Sequence, residues 1–218
     1  MNTQTQILEQ AADFVRRQLA GDSSGHDFWH IERVRRTALA IAREEQADVF
    51  VVELAALLHD VHDWKFAGGD EEAGPVAVGG WLAEQGVAAP IAAQVVQIIR
   101  ELSFKGAGVA TPMSTREGEC VQDADRLDAI GAVGIARAFA YGGHKGRALY
   151  DPAIPPHSHD SFAAYKQNHG PTINHFYEKL LLLKDRMNTI AGQRLAADRH
   201  LFMEQFLQQF LAEWEGTR

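Results

Sequence analysis

Cysteine is almost absent from the sequence, with Cys120 as the single thiol among 218 residues. One cysteine excludes an internal disulfide framework and a zinc site built from cysteines. It favours a reducing compartment, so we expect a cytoplasmic protein. No apolar run reaches the roughly 18 residues of a membrane-spanning helix. The N-terminus also lacks a basic start followed by an apolar stretch, which argues against a signal peptide.

Positive charge is scarce relative to negative charge, with 21 Lys and Arg against 29 Asp and Glu and a formal net charge of −8. Nonspecific binding to duplex nucleic acid draws its affinity from many cationic contacts to phosphates. The acidic balance therefore argues against such a partner. It does not exclude a small phosphorylated ligand, because a few local cations or a bound metal ion can neutralise that ligand.

No segment shows the alternating pattern of a β-strand. Apolar residues recur instead at spacings of three and four, as in Ile31, Val34, Ala38 and Ile41. This pattern predicts amphipathic helices and an all-α fold of seven to ten helices. The length fits a single domain over residues 1–218. Two breaks rich in glycine and proline lie at 103–115 and 142–161, and a helical C-terminal extension covers 162–218.

The last predicted helix carries aromatic residues at a spacing of four, namely Phe202, Phe206, Phe210 and Trp214. This spacing places them on one face of the helix. A stripe of this kind is typical of a core rather than of a cofactor site. It either closes the core or forms the face of a homodimer.

Three motifs on different predicted helices indicate a chemical function. They are His30, the pair His59-Asp60, and Asp125. His59 and Asp60 follow two leucines, so the helix that they close ends in the core, where an unpaired carboxylate costs several kcal/mol. A divalent cation satisfies both side chains, and His30 and Asp125 can complete the ligand set. Two imidazoles and two carboxylates suit manganese, iron, zinc or magnesium. Taken singly, each is more often a hydrogen-bonded core or surface residue.

The pattern of His30, His59-Asp60 and Asp125 resembles the HD superfamily of metal-dependent phosphohydrolases. The similarity extends to the neighbouring residues over about 20–130, namely Glu32-Arg33-Val34, Leu57-Leu58 and Arg126-Leu127. Segments after residue 140 are similar to a bacterial subgroup of small, single-domain members, some of which are nucleoside triphosphate pyrophosphohydrolases. These segments are Tyr141-Gly142-Gly143, His175 to Leu181, and Met187-Asn188-Thr189 with Gly192.

The resemblance implies a helical bundle with a metal site between helices, whose ligands are His30, His59, Asp60 and Asp125. Mn²⁺ is the favoured ion, with Mg²⁺, Co²⁺, Fe²⁺ or Zn²⁺ as alternatives. Asp63 lies one helical turn after His59, where related enzymes place a catalytic carboxylate that can orient or deprotonate a water. On residue type alone, Asp63 is equally a surface carboxylate. Because Asp63-Trp64 stands where alarmone hydrolases carry Glu-Asp, guanosine tetraphosphate is the less expected substrate.

Residues around these motifs have supporting roles. Asp128, on the same helical face as Asp125, can hold a ligand or Arg126. Asp123 points elsewhere and is expected to be solvated. His26 supports the first ion or, with His62, adds ligands for a second one.

A phosphorylated substrate also needs cations. Lys65 is expected to act beside Asp63. We expect phosphate contacts among Lys105, Lys145, Arg147 and Lys179. Each of these cations, taken alone, is typical of a solvated surface.

The leading hypothesis is a metal-dependent phosphohydrolase that acts on a small phosphorylated compound, most readily a nucleotide. Release of pyrophosphate from nucleoside triphosphates is favoured over monophosphatase or phosphodiesterase activity. One alternative is a sensor module that binds metal and nucleotide without turnover. Another is oxidative chemistry at a di-iron centre, which needs more histidine and carboxylate ligands than the sequence offers.

Overall fold

The structure, a computed structural model, describes residues 3–19, 27–61, 72–102, 109–157 and 170–218. These residues form nine α-helices and no β-strand, which confirms the predicted all-α fold. The helices are α1 Thr3–Gln18, α2 Phe28–Glu44, α3 Val49–Leu58, α4 Ala73–Glu84, α5 Ala89–Glu101, α6 Arg116–Asp128, α7 Gly131–His144, α8 Thr172–Glu178 and α9 Ile190–Trp214. Two 3₁₀ turns, Leu180–Leu182 and Lys184–Arg186, join α8 to α9. None of the helices in these ranges is long and apolar enough to cross a membrane.

The chain forms two compact units. The first takes in α1 to α5 and α6 as far as Ala124, and the second takes in Val109 and the chain from Asp125 onward, with α7 to α9. A single domain over 1–218, with a motif-bearing core over about 20–130 and an extension over 162–218, therefore stays a prediction.

Helix α3 is the central element of the first unit. It packs against α1, α2 and α5. Seven of its ten residues are buried, namely Val51, Val52, Leu54, Ala55, Ala56, Leu57 and Leu58. Each large apolar side chain buried in this way contributes about 1.5–3 kcal/mol. Helix α2 lies against α3 through the apolar stripe that its sequence predicts.

Aspartates fix where both of these helices begin. The Asp48 carboxylate accepts hydrogen bonds from the backbone N–H groups of Phe50 (2.9 Å) and Val51 (3.2 Å). The Asp27 carboxylate accepts the N–H of His30 at 3.0 Å. N-terminal N–H groups have no partner within a helix, so these caps favour helix starts at these positions. The cap at Asp27 places His30 in the first turn of α2.

The second unit is held together by an aromatic cluster. Phe139 of α7 and Phe176 of α8 contact Phe206 of α9, with ring centroids 6.0 and 5.8 Å apart. Phe210 extends the cluster to Trp214, at 6.0 Å. The middle of the aromatic stripe on α9 therefore packs within this cluster, with Phe206 and Phe210 partly buried, whereas Phe202 and Trp214 are about half exposed. A homodimer formed through that exposed part stays a prediction.

The second glycine-rich break begins later than predicted. Helix α7 runs through Gly142 and Gly143 to His144. A Cβ on Gly142 would lie 2.2 Å from Thr172 Oγ1, so the glycine is required for close packing of α7 on α8. After α7, the carbonyls of Ala148 and Leu149 accept hydrogen bonds from the first N–H groups of α8 at 2.9 and 3.0 Å. These bonds fix the segment that carries Lys145 and Arg147.

Candidate metal centre

Three of the predicted metal ligands meet at the end of α3. His30 projects from the first turn of α2 and is almost fully buried. His59 is the residue at which α3 ends, and Asp60 follows it. Adjacent side chains on a continuous helix diverge by about 100°, whereas the end of a helix lets His59 and Asp60 face one point.

The donor atoms of these three residues are close to one another. The Nε2 atoms of His30 and His59 are 3.3 Å apart. Asp60 places Oδ2 3.3 Å from His30 Nε2 and Oδ1 3.7 Å from His59 Nε2. One donor atom from each residue lies within 4.8 Å of the other two. Since both imidazoles are buried and Asp60 is only 14% exposed, this group excludes most water.

The proton on His59 is held away from the centre. Its Nδ1 lies 2.9 Å from the carbonyl oxygen of Ala56, one turn earlier on α3. A carbonyl can only accept, so Nδ1 carries the proton and donates it. The Nε2 lone pair of His59 then faces His30 and Asp60, which is the orientation of a histidine that ligates metal.

These residues fit a divalent cation. With metal–ligand bonds of about 2.1 Å, two ligands are about 3.0 Å apart at a right angle and about 3.4 Å apart at a tetrahedral angle. Two of the observed separations lie between these values and the third lies slightly above. A donor set of two imidazoles and a carboxylate suits manganese, iron, cobalt and zinc.

The structure describes only some of the other predicted site residues. Asp63, Lys65, Lys105 and His26 lie outside the described residues. Asp125 is a half-buried residue of α6 and belongs to the second unit, so its role as the fourth ligand stays a prediction.

Helix α6 is more deeply buried than its sequence indicates. Asp123 is fully buried, so its expected exposure to solvent is wrong. The spacing of polar residues along α6 predicts one face exposed to solvent, but both polar and apolar residues of this helix are buried. Asp128 is also buried, and its Oδ2 accepts a hydrogen bond from Arg137 of α7 at 2.8 Å. Its predicted support of a ligand remains a prediction.

An ionic group that joins α2 to α3 was not predicted from the sequence. The Arg35 guanidinium donates to both oxygens of Glu32, at 2.8 and 2.9 Å, and its third donor atom contacts Glu53 of α3. Arg36 donates to Glu32 at 2.8 Å. These hydrogen bonds, that of Arg35 foremost, hold the pKa of Glu32 below its usual range. The spacing of Glu32 and Arg35 indicates a pair within one helix, but no sequence signal indicates the contact with Glu53.

The second unit gathers cations. Lys145 Nζ and the guanidinium carbon of Arg147 each lie 5.6 Å from the ring centre of Tyr141. Burial, followed by the positive charges of Lys179 and Arg147, lowers the pKa of His175 to about 3. His175 is therefore neutral near pH 7. The three predicted phosphate contacts that the structure describes, Lys145, Arg147 and Lys179, thus belong to one unit, and two of them act on the same imidazole.

Comparison with known proteins identifies the family. The HD domain model matches residues 28–130, which include His30, His59, Asp60 and Asp125. The Bacillus subtilis protein YpgQ is 44% identical over 211 residues, covering 95% of this chain and 94% of YpgQ.

Solved structures agree with this match. A Lactobacillus plantarum protein superposes with a TM-score of 0.86 at 40% identity, over 97% of this chain and 98% of the other. An HD-superfamily hydrolase from Bacillus thuringiensis gives a TM-score of 0.75 at 45% identity, with the same coverage of the two chains. YpgQ in complex with ADP gives a TM-score of 0.73 at 38% identity, over 94% and 96%. The resemblance seen in the sequence is thereby confirmed: the chain belongs to the HD superfamily and is a metal-dependent phosphohydrolase.

Proposed function

We propose that this enzyme hydrolyses nucleotides, and that the favoured reaction releases pyrophosphate from nucleoside triphosphates. The proposal depends above all on the cluster of His30, His59 and Asp60, whose donors are arranged for a divalent cation. A nucleotide is supported as the substrate class by the relative YpgQ, whose structure is described in complex with ADP. That relative matches this chain over nearly its whole length.

The proposed ligands are His30, His59, Asp60 and Asp125, with Mn²⁺ as the favoured ion and Mg²⁺, Co²⁺, Fe²⁺ or Zn²⁺ as alternatives. When bound, the ion supplies Lewis acidity toward a phosphate oxygen and makes a water more acidic. The protein's own contribution is orientation. The Ala56 carbonyl fixes the tautomer of His59, and the Asp27 cap fixes the helix start that carries His30. Because these ligand atoms are already oriented, little free energy is spent on reorienting them during the reaction.

Proton transfer is assigned to Asp63. In the proposed mechanism this carboxylate accepts a proton from the attacking water, and Lys65 stabilises charge on the phosphate under attack. Both assignments rest on the sequence, because these residues lie outside the described ranges.

The remaining phosphates need further cations. A protein with a net charge of −8 repels a triphosphate unless positive charge is concentrated locally. We assign this role to Lys105, Lys145, Arg147 and Lys179. The last two also lower the pKa of His175, so that this imidazole is neutral near pH 7.

The test begins with chelator-treated protein, refilled separately with Mn²⁺, Mg²⁺, Co²⁺, Zn²⁺ or Fe²⁺. Each form is incubated with nucleoside mono-, di- and triphosphates and a cyclic nucleotide, and the products are separated by anion exchange. Pyrophosphate with a monophosphate supports the proposal. Inorganic phosphate identifies a phosphatase, and a ring-opened nucleotide identifies a phosphodiesterase. Nucleotide that raises the melting temperature but is never cleaved under any metal supports the sensor module instead.

A further inference from the structure

Helix α3 has almost nothing polar to fix its rotation. Its sequence is Val-Phe-Val-Val-Glu-Leu-Ala-Ala-Leu-Leu, in which Glu53 is the sole charged residue. A helix that is apolar all round has no polar face to orient it toward solvent. Apolar packing also tolerates small shifts when volume is conserved. Yet the end of α3 must present His59 and Asp60 to His30 of α2 within a few tenths of an ångström for tight metal binding.

The one charged residue of α3 is engaged by α2. Arg35 contacts Glu53 and also donates to both oxygens of Glu32, one turn earlier on its own helix. The two hydrogen bonds to Glu32 hold the guanidinium plane in one orientation. All three side chains are shielded from water, with exposures of 27% for Arg35, 14% for Glu32 and 16% for Glu53. We refer to Glu32, Arg35 and Glu53 as the brace.

The brace lies near the metal centre without taking part in it. Arg35 is five residues after His30, a rise of about 7.5 Å along α2, and Glu53 is six residues before His59, about 9 Å along α3. The same two helices are therefore joined at two points, the donor cluster and the brace. A second fixed point restricts both the sliding and the rotation of α3 against α2. Single polar contacts that specify register in apolar seams are a well-attested use of buried charge.

We propose that the brace is a positioning device: it sets the register of α3 against α2 and thereby the spacing of His30, His59 and Asp60. This inference rests on the metal centre of the proposed function. A purely structural role has a different consequence. If the brace were purely structural, its removal would lower the free energy of unfolding and leave the metal affinity of the folded protein unchanged.

The test compares Arg35→Met with Arg36→Met. Both variants remove an arginine that donates to Glu32, but Arg36 is 71% exposed and its described bond stays within α2. The dissociation constant for Mn²⁺ is measured by calorimetry on folded, metal-free protein, together with the visible absorption spectrum of the Co²⁺ form. We expect Arg35→Met to weaken Mn²⁺ binding tenfold or more and to change the Co²⁺ spectrum. Arg36→Met should stay within twofold of the wild type.

Further variants separate positioning from stability. Glu53→Gln keeps the shape of the side chain and should weaken Mn²⁺ binding in the same direction, so it carries the test if Arg35→Met does not fold. The double variant should bind no more weakly than Arg35→Met, because both changes break one contact. Val78→Ala removes buried apolar volume from α4, which packs chiefly against α5. It should lower the melting temperature without changing Mn²⁺ affinity.

Two results would overturn the inference. One is wild-type Mn²⁺ affinity and an unchanged Co²⁺ spectrum in folded Arg35→Met and Glu53→Gln. The other is a loss of affinity in Val78→Ala equal to that in Arg35→Met, since affinity would then follow stability alone. Failure of the wild type itself to bind any of these ions would contradict the proposed function rather than the brace.

Discussion

The two units of the molecule collect opposite kinds of polar group. The first places two imidazoles and a carboxylate at the end of an apolar helix, with Nε2 atoms 3.3 Å apart. The second places Lys179 and Arg147 around His175 and holds Lys145 near the same segment. Electron-pair donors favour a cation, and clustered cations favour an anion.

The two units also use different contacts to hold these polar groups in place. In the first unit, helix caps and the brace fix the positions of polar side chains against apolar helices. In the second, an aromatic cluster and backbone hydrogen bonds to the start of α8 hold the cationic segment. Substitutions in the first unit should therefore act on metal affinity, and those in the second on stability or nucleotide affinity.

The largest expected effect is at Asp60. Asp60→Ala removes the carboxylate that faces both imidazoles. We expect Mn²⁺ affinity to fall by about 100-fold or more, because loss of a ligand exceeds the cost of losing an outer contact. Hydrolysis should fall at least about 1,000-fold. Calorimetry with Mn²⁺ and a product assay on each nucleotide measure the two effects.

Asp185 provides the matched control for Asp60. It is an aspartate of the second unit with its side chain 82% exposed, so Asp185→Ala should retain wild-type affinity and rate. Hydrolysis at the wild-type rate in Asp60→Ala would contradict the placement of the metal centre.

The next effect is on stability and concerns the aromatic cluster. Phe176 is fully buried and stacks on Phe206, so Phe176→Ala should lower the free energy of unfolding by about 3–5 kcal/mol. Trp214 lies at the edge of the same cluster and is 47% exposed, so Trp214→Ala should cost much less, about 1 kcal/mol. Denaturant titrations measure both values. Equal losses would mean that the cluster has no buried centre.

The sequence was sufficient to predict the helical fold and three clustered ligands. Spacings of three and four residues determine amphipathic helices directly. The motif of two leucines before His59-Asp60 locates a buried helix end. Histidine and aspartate at such an end favour a shared cation, and the resemblance to the HD superfamily adds His30 to the set.

Tertiary contacts could not be predicted in the same way. The burial of Asp123 depends on what surrounds α6, and the pairing of Arg35 with Glu53 joins residues 18 apart on two helices. The need for a glycine at position 142 of α7 comes from Thr172, which lies 30 residues later. Each of these contacts is determined by packing between distant segments, which a single sequence does not encode in any local pattern.

The third prediction concerns nucleotide affinity. Arg147→Met and Lys179→Met each remove one of the charges that act on His175. We expect each variant to raise KM for a nucleoside triphosphate about tenfold, the value of one charge-assisted contact of about 1.4 kcal/mol. Mn²⁺ affinity should stay unchanged. Initial rates over a range of substrate concentrations give KM.

Lys184→Met is the control for these cations, since Lys184 belongs to the same unit and does not act on His175. Its KM should equal that of the wild type. Unchanged KM in both Arg147→Met and Lys179→Met would remove these residues from the substrate site.

The smallest effect is a pH dependence of stability that originates at His175. Burial and the charges of Lys179 and Arg147 lower its pKa from 6.5 to about 3 in the folded protein. The unfolded chain therefore takes up a proton first as the pH falls. The contribution of neutral His175 to stability is complete above about pH 6.5 and is lost progressively as the pH falls toward 3.

Between pH 7 and pH 5.5 this loss amounts to about 1.2 kcal/mol, and it changes little if the folded pKa is one unit higher. His175→Asn cannot titrate in this range, so its free energy of unfolding should fall by about 1.2 kcal/mol less than that of the wild type. Denaturant titrations at the two pH values measure the difference. The other nine histidines are the same in both proteins, so their contributions cancel when the change in the variant is subtracted from that in the wild type. The same dependence in both proteins would mean that His175 titrates normally in the fold. Neither burial nor the charges of Lys179 and Arg147 would then lower its pKa in the folded protein.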